Sequence, residues 1–105
     1  MDVNSIMQQA QQMQAKLIQI QQELAKQSVQ GSAGGGMVTV KVNGKGEVLA
    51  LSIEKEMLSE NDTGMLQDLI VAATNDGLRR AKELSRQAMG KLTGGMNIPG
   101  ISDMF

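Results

Sequence analysis

Five cations, Arg79, Arg80, Lys82, Arg86 and Lys91, stand against Glu83 alone in residues 77–92. On a helix, Arg79, Lys82 and Arg86 fall at i, i+3 and i+7 and share one face. Guanidinium and ammonium groups in such a row suit phosphates: Arg by paired hydrogen bonds, Lys by point charge. Lys16 and Lys26 add two cations to a segment in which ten of the first thirty residues are Gln, a side chain that also hydrogen-bonds phosphates. The same cations would equally suit a solvated helix face near a C-terminus, where the helix dipole favours positive charge. From spacing alone the solvated face is the simpler reading.

Other chemistries are less well supplied. The chain has no Cys and no His, which excludes disulfides, Cys- or His-based metal sites, and Cys or His as nucleophile or base. Glu54, Glu56, Glu60, Asp62, Asp68 and Asp76 make an acidic middle, but no calcium-loop spacing orders them. Those from Glu60 to Asp68 read more simply as charges that complement a helix N-terminus. The glycines at 31 and 34–36 precede a strand rather than open a helix. Those at 44 and 46 sit in a hairpin turn and those at 94–95 near the C-terminus, so none forms a phosphate-binding loop. No enzyme, cofactor, metal or small-molecule substrate is expected. Net charge is −1, so overall electrostatics do not point to a polyanion. No run reaches the roughly 18 apolar residues of a membrane span. The N-terminus lacks a signal-peptide pattern, and cytoplasmic residence is expected.

The elements that would position these residues are legible from periodicity. Residues 3–27 contain good helix formers with no Gly or Pro, and Asn4 or Ser5 can cap them. Ile6, Ala10, Met13, Leu17, Ile20 and Leu24 recur at alternating steps of four and three, the seam of a coiled coil. A chain of 105 residues whose only aromatic is Phe105 has little with which to cover that seam, so a second helix, from this chain or from another copy, is expected to cover it, with self-association as the first inference. Residues 37–42 and 48–53 alternate as strands around the Asn43–Gly46 turn, a strong hairpin signal. Residues 28–32 read as a shorter first strand turning through 33–36. Residues 62–92 read as a second long helix, capped by Asn61, Asp62 or Thr63, with apolar positions at Leu66, Leu69, Ile70, Ala73, Leu78, Ala81, Leu84, Ala88 and Leu92. Gly77 within it costs about 1 kcal/mol relative to Ala and suggests a kink or a close approach. Residues 93–105 are expected to be a disordered tail. The layout is an α+β fold in one domain spanning 1–92: a long N-terminal helix, an antiparallel three-stranded meander and a long C-terminal helix.

Together these segments resemble the YbaB/EbfC family of bacterial nucleoid-associated proteins, over residues 6–100. The resemblance is carried by Met7-Gln-Gln-Ala-Gln-Gln-Met-Gln-Ala-Lys-Leu17 and by Gly34-Gly-Gly-Met-Val-Thr-Val-Lys-Val-Asn-Gly44. It continues in Leu66-Gln-Asp-Leu-Ile-Val-Ala-Ala-Thr-Asn-Asp76, in Arg79-Arg80 and in Met96-Asn-Ile-Pro99. It implies a homodimer whose first helices project like tweezer arms, and a protein of the nucleoid that binds double-stranded DNA. Bending or compaction of DNA and an influence on gene expression would follow. The DNA surface it implies is Lys16, Lys26, Arg79, Arg80, Lys82 and Arg86, with the acidic middle on the opposite side. Gly77 departs from the family pattern, which would favour a stronger helix former there. The competing reading is a dimeric protein–protein interaction module, acting near recombination or replication machinery with no direct role on DNA.

Overall fold

The computed structural model describes residues 2–59 and 61–92, the side chain of Leu92 aside. Its elements run α1 (Val3–Lys26), β1 (Ser28–Ala33), β2 (Val38–Asn43), β3 (Val48–Ile53), α2 (Lys55–Ser59) and α3 (Thr63–Leu92). The strands form one antiparallel sheet in the order β1-β2-β3. This is the α+β architecture expected from the sequence, with the short α2 added. The tail at 93–105 lies outside the described residues.

α1 begins at Val3 as expected, but its cap lies two residues before Asn4. Asp2, rather than Asn4 or Ser5, takes the N-cap and accepts a hydrogen bond from the Ser5 amide at 2.8 Å. That bond holds the Asp2 carboxyl below its ordinary pKa. α3 is capped by Asp62, whose Oδ1 accepts from the Met65 amide at 2.9 Å. α2 was not expected because five residues are too few to show a period. It buries Met57 almost completely.

α3 lies across one face of the sheet, packed against β1 and β2. Val38, Val40 and Val42 of β2 meet Ala73 and Ala81 of α3 in the core. Two glycines permit this closeness. A Cβ on Gly31 of β1 would sit 2.2 Å from the Gly77 nitrogen and 2.3 Å from the Ala73 carbonyl oxygen. A Cβ on Gly77 would sit 2.7 Å from Val42 Cγ2. Gly77 therefore serves a close approach between α3 and a strand, and α3 runs unbroken past it.

α1 divides into two halves. Leu24 is buried, Leu17 and Ile20 are half-buried, and Ile6, Ala10 and Met13 are exposed. The inner end of the seam is thus covered within its own chain, whereas the outer end is not. The Asn43 turn and α3 make that cover. The Gly44 amide donates to the Leu24 carbonyl at 2.8 Å and to the Gln27 carbonyl at 3.0 Å. A Cβ on Gly44 would stand 2.7 Å from Leu24.

Candidate nucleic-acid interface

The cations of α3 are split between two flanks by the helical period of about 100° per residue. Lys82, Arg86 and Arg79 occupy the outer face and are exposed, as their i, i+3, i+7 spacing requires. Arg80 lies about 100° from Arg79, on the flank that meets β1. Between the two arginines sits Asp76. Its Oδ2 accepts from the Ser32 amide of β1 at 3.0 Å and from Arg80 Nε at 3.2 Å, while Oδ1 accepts from Arg79 Nη2 at 3.3 Å. The Ser32 amide, seconded by Arg80 and Arg79, holds the Asp76 carboxyl below its ordinary pKa.

This corrects one expectation. The acidic middle does not lie wholly away from the cations, because its last member is in contact with two of them. Asp76 is only 21% exposed, against 72% for Arg79 and 61% for Arg80, so both guanidinium groups keep most of their surface free. Arg86 pairs more loosely with Glu83, at 3.6 Å, and both partners are exposed. Solvent-exposed pairs of this kind hold side chains together by at most about 1 kcal/mol, which leaves them available to another anion.

On α1 the two lysines are far apart. Ten residues separate Lys16 from Lys26, about 15 Å along the helix. Lys16 is exposed near the middle of α1, beside Gln9, Gln12 and Met13 around a shallow concavity. Lys26 closes the last turn, where its charge suits the helix dipole. Neither joins the α3 strip within one chain.

Two features went unseen in the sequence. One is a groove of about 360 Å³ where α1, the β2–β3 turn and α3 meet, with Lys45 and Lys82 among its lining. Lys45 belongs to a turn whose approach to α3 no local pattern reveals. The other is the bare core face of β3. Leu51 opposes Val40 and Ile53 opposes Val38, so their side chains share the face of the buried valines. A bulge between Lys41 and Val42 leaves Leu49 as the extra residue beside Val48. α3 does not cover this strand, and Val48, Leu49 and Leu51 remain 51%, 53% and 48% exposed. Val71 and Leu78, on the flank of α3 away from Arg80, are exposed beside it.

No group of three or more metal-ligating side chains occurs among the described residues, and none of their helices is long and apolar enough to cross a membrane. The chain is similar over its full length to a nucleoid-associated protein of Desulfotalea psychrophila, at 58% identity over 105 residues and 99% of that protein. A nucleoid-associated protein of Syntrophobacter fumaroxidans is 53% identical over 95 residues, covering 90% of this chain and 86% of that one. The crystal structure of an uncharacterized protein from Helicobacter pylori superposes with a TM-score of 0.81 at 26% identity, covering 90% of this chain and 99% of the other. The profile of the YbaB/EbfC DNA-binding family matches residues 1–96. With this fold, an exposed basic strip on α3 and that match along almost its whole length, the chain belongs to the YbaB/EbfC DNA-binding family.

Proposed function

We propose that this chain binds duplex DNA as a homodimer with little sequence preference, bending or compacting it at the nucleoid and thereby influencing gene expression. The observation that carries the reading is the outer face of α3, where Arg79, Lys82 and Arg86 are exposed in one row, in a chain of a DNA-binding family. The dimer is supported by the bare face of β3. A second copy laid over Val48, Leu49, Leu51 and Val71 would bury large side chains worth about 1.5–3 kcal/mol each. The exposed end of the α1 seam, Ile6, Ala10 and Met13, offers further apolar surface to the same association.

Two copies bring the cations Lys16, Lys26, Arg79, Arg80, Lys82 and Arg86 into one doubled surface. With some turned away, about 4–8 phosphate contacts remain, giving a log–log salt slope on the order of −4 to −7. Contacts of that kind position a protein on the duplex without reading bases, hence the weak sequence preference. The test is a variant carrying Arg79→Glu, Arg80→Glu and Arg86→Glu, titrated against several unrelated duplexes. Loss of binding with the oligomeric state unchanged is expected. Undiminished binding would discard the proposed surface. A wild-type protein that fails to shift duplex DNA even near ~20 mM salt would favour the interaction-module reading instead.

A further inference from the structure

We infer that the groove between α1, the β2–β3 turn and α3 seats a backbone phosphate of the duplex, with Lys45 and Lys82 as its cationic ligands. The inference deepens the DNA-binding reading and rests on it. Lys45 and Lys82 line the groove from different elements, and Gln21 of α1 and Ser85 of α3 add uncharged donors beside them. Lys82 also belongs to the outer strip of α3, so the seat continues that strip toward the base of α1.

The turn that carries Lys45 is built to hold its place. Asn43 is 4% exposed, and its Oδ1 accepts from the backbone amides of Lys45 at 3.0 Å and Glu47 at 2.9 Å. Its Nδ2 donates to Glu47 Oε1 at 3.0 Å and reaches the Ala25 carbonyl at 3.5 Å. Gly46 takes a positive φ of 85°, which completes the reversal. The Gly44 amide pins the turn to the last carbonyls of α1. The Lys45 backbone is thus held against the end of α1, and its side chain makes none of these bonds. A cation presented from a rigid base loses less freedom on meeting an anion.

Nearby carboxylates do not claim the two lysines. Glu47 is bonded by Asn43, and Glu83 faces Arg86. The apolar part of the lining, Leu24, Leu78, Ala81 and Met89, would also accept an apolar occupant such as a second copy of the chain. Charge at the rim favours the phosphate.

The experiment compares Lys45→Glu with Lys41→Glu in the full chain. Lys41 is exposed on β2, alternating with the buried Val40 and Val42, so it carries the same charge on the sheet face away from α3. Affinity for a labelled duplex is measured between about 50 and 200 mM salt, with sedimentation of each variant alongside. Lys45→Glu is expected to weaken binding about tenfold more than Lys41→Glu. It should also shallow the salt slope by about one for each protomer on the duplex. Lys45→Gln, which leaves every backbone bond of the turn in place, should weaken binding by a smaller factor in the same direction. Equal effects of Lys45→Glu and Lys41→Glu overturn the seat, even if the Arg79, Arg80 and Arg86 variant has lost binding. A changed oligomeric state with unchanged DNA affinity also overturns it and gives the groove to a second copy. Absence of wild-type binding overturns the underlying reading, and the seat with it.

Discussion

At the scale of the residue, Asp76 shows how one carboxylate can serve fold and surface together. It ties β1 to α3 through the Ser32 amide and gathers Arg79 and Arg80 on either side. Because its folded-state pKa is depressed, the stabilisation it brings is fully present above the ordinary Asp value of about 3.9 and is lost as pH falls through the lower, folded value. Asp76→Asn keeps an acceptor for the Ser32 amide but removes the charge. The variant should therefore melt below wild type at neutral pH, and the gap should narrow as the pH drops below about 4. Melting temperatures of both proteins across that range provide the check. A gap of constant size down to acid pH would show that the carboxylate's charge contributes nothing.

At the scale of the element, the approach of α3 to β1 depends on two residues lacking a Cβ. Gly31→Ala would drive its methyl into backbone atoms of Gly77 and Ala73, neither of which can yield without moving α3. A cost of about 3 kcal/mol or more is expected, at the upper end of overpacking. Gly77→Ala gains about 1 kcal/mol of helix propensity but meets Val42 Cγ2 inside the core, so a net loss of about 1–2 kcal/mol is expected. Urea unfolding at one protein concentration ranks the two. Gly77→Ala more costly than Gly31→Ala would contradict the packing described. Both long helices, the hairpin and even the shorter β1 were readable in the sequence, since period, caps and Asn-Gly turn chemistry are local. The partner of Gly77 was not readable, because the strand that approaches it lies about 46 positions earlier and glycine carries no pattern. The same limit applied to the groove. Lys82 was drawn from the helix face it shares with Arg79 and Arg86, whereas Lys45, isolated in its turn, gave no sign of facing it. The place of Asp76 beside the cations is equally illegible, since spacing says nothing of the Ser32 amide that draws it to β1.

At the scale of the whole molecule, the single chain is extended rather than compact. Its radius of gyration is 18.8 Å, where a compact chain of this length has about 13 Å. Both long helices contribute, α3 at about 45 Å and α1 at about 36 Å, the latter with an outer half that is exposed. The sheet is unevenly covered, since α3 packs on β1 and β2 while Val48, Leu49 and Leu51 of β3 stay exposed. Introducing a charge at the middle of that face, Leu51→Glu, should prevent two copies from meeting there without disturbing the monomer's own core. Sedimentation is expected to give about 22 kDa for wild type, twice the 11.2 kDa of one chain, and nearer the single-chain mass for the variant. The consequence extends to DNA. A lone subunit presents half the cations, so its salt slope should fall to roughly half that of the wild type and its affinity by several orders of magnitude at physiological salt. A monomeric Leu51→Glu protein that retained full affinity and slope would place the whole DNA surface within one chain. The doubling of the basic strip would then have no bearing on binding.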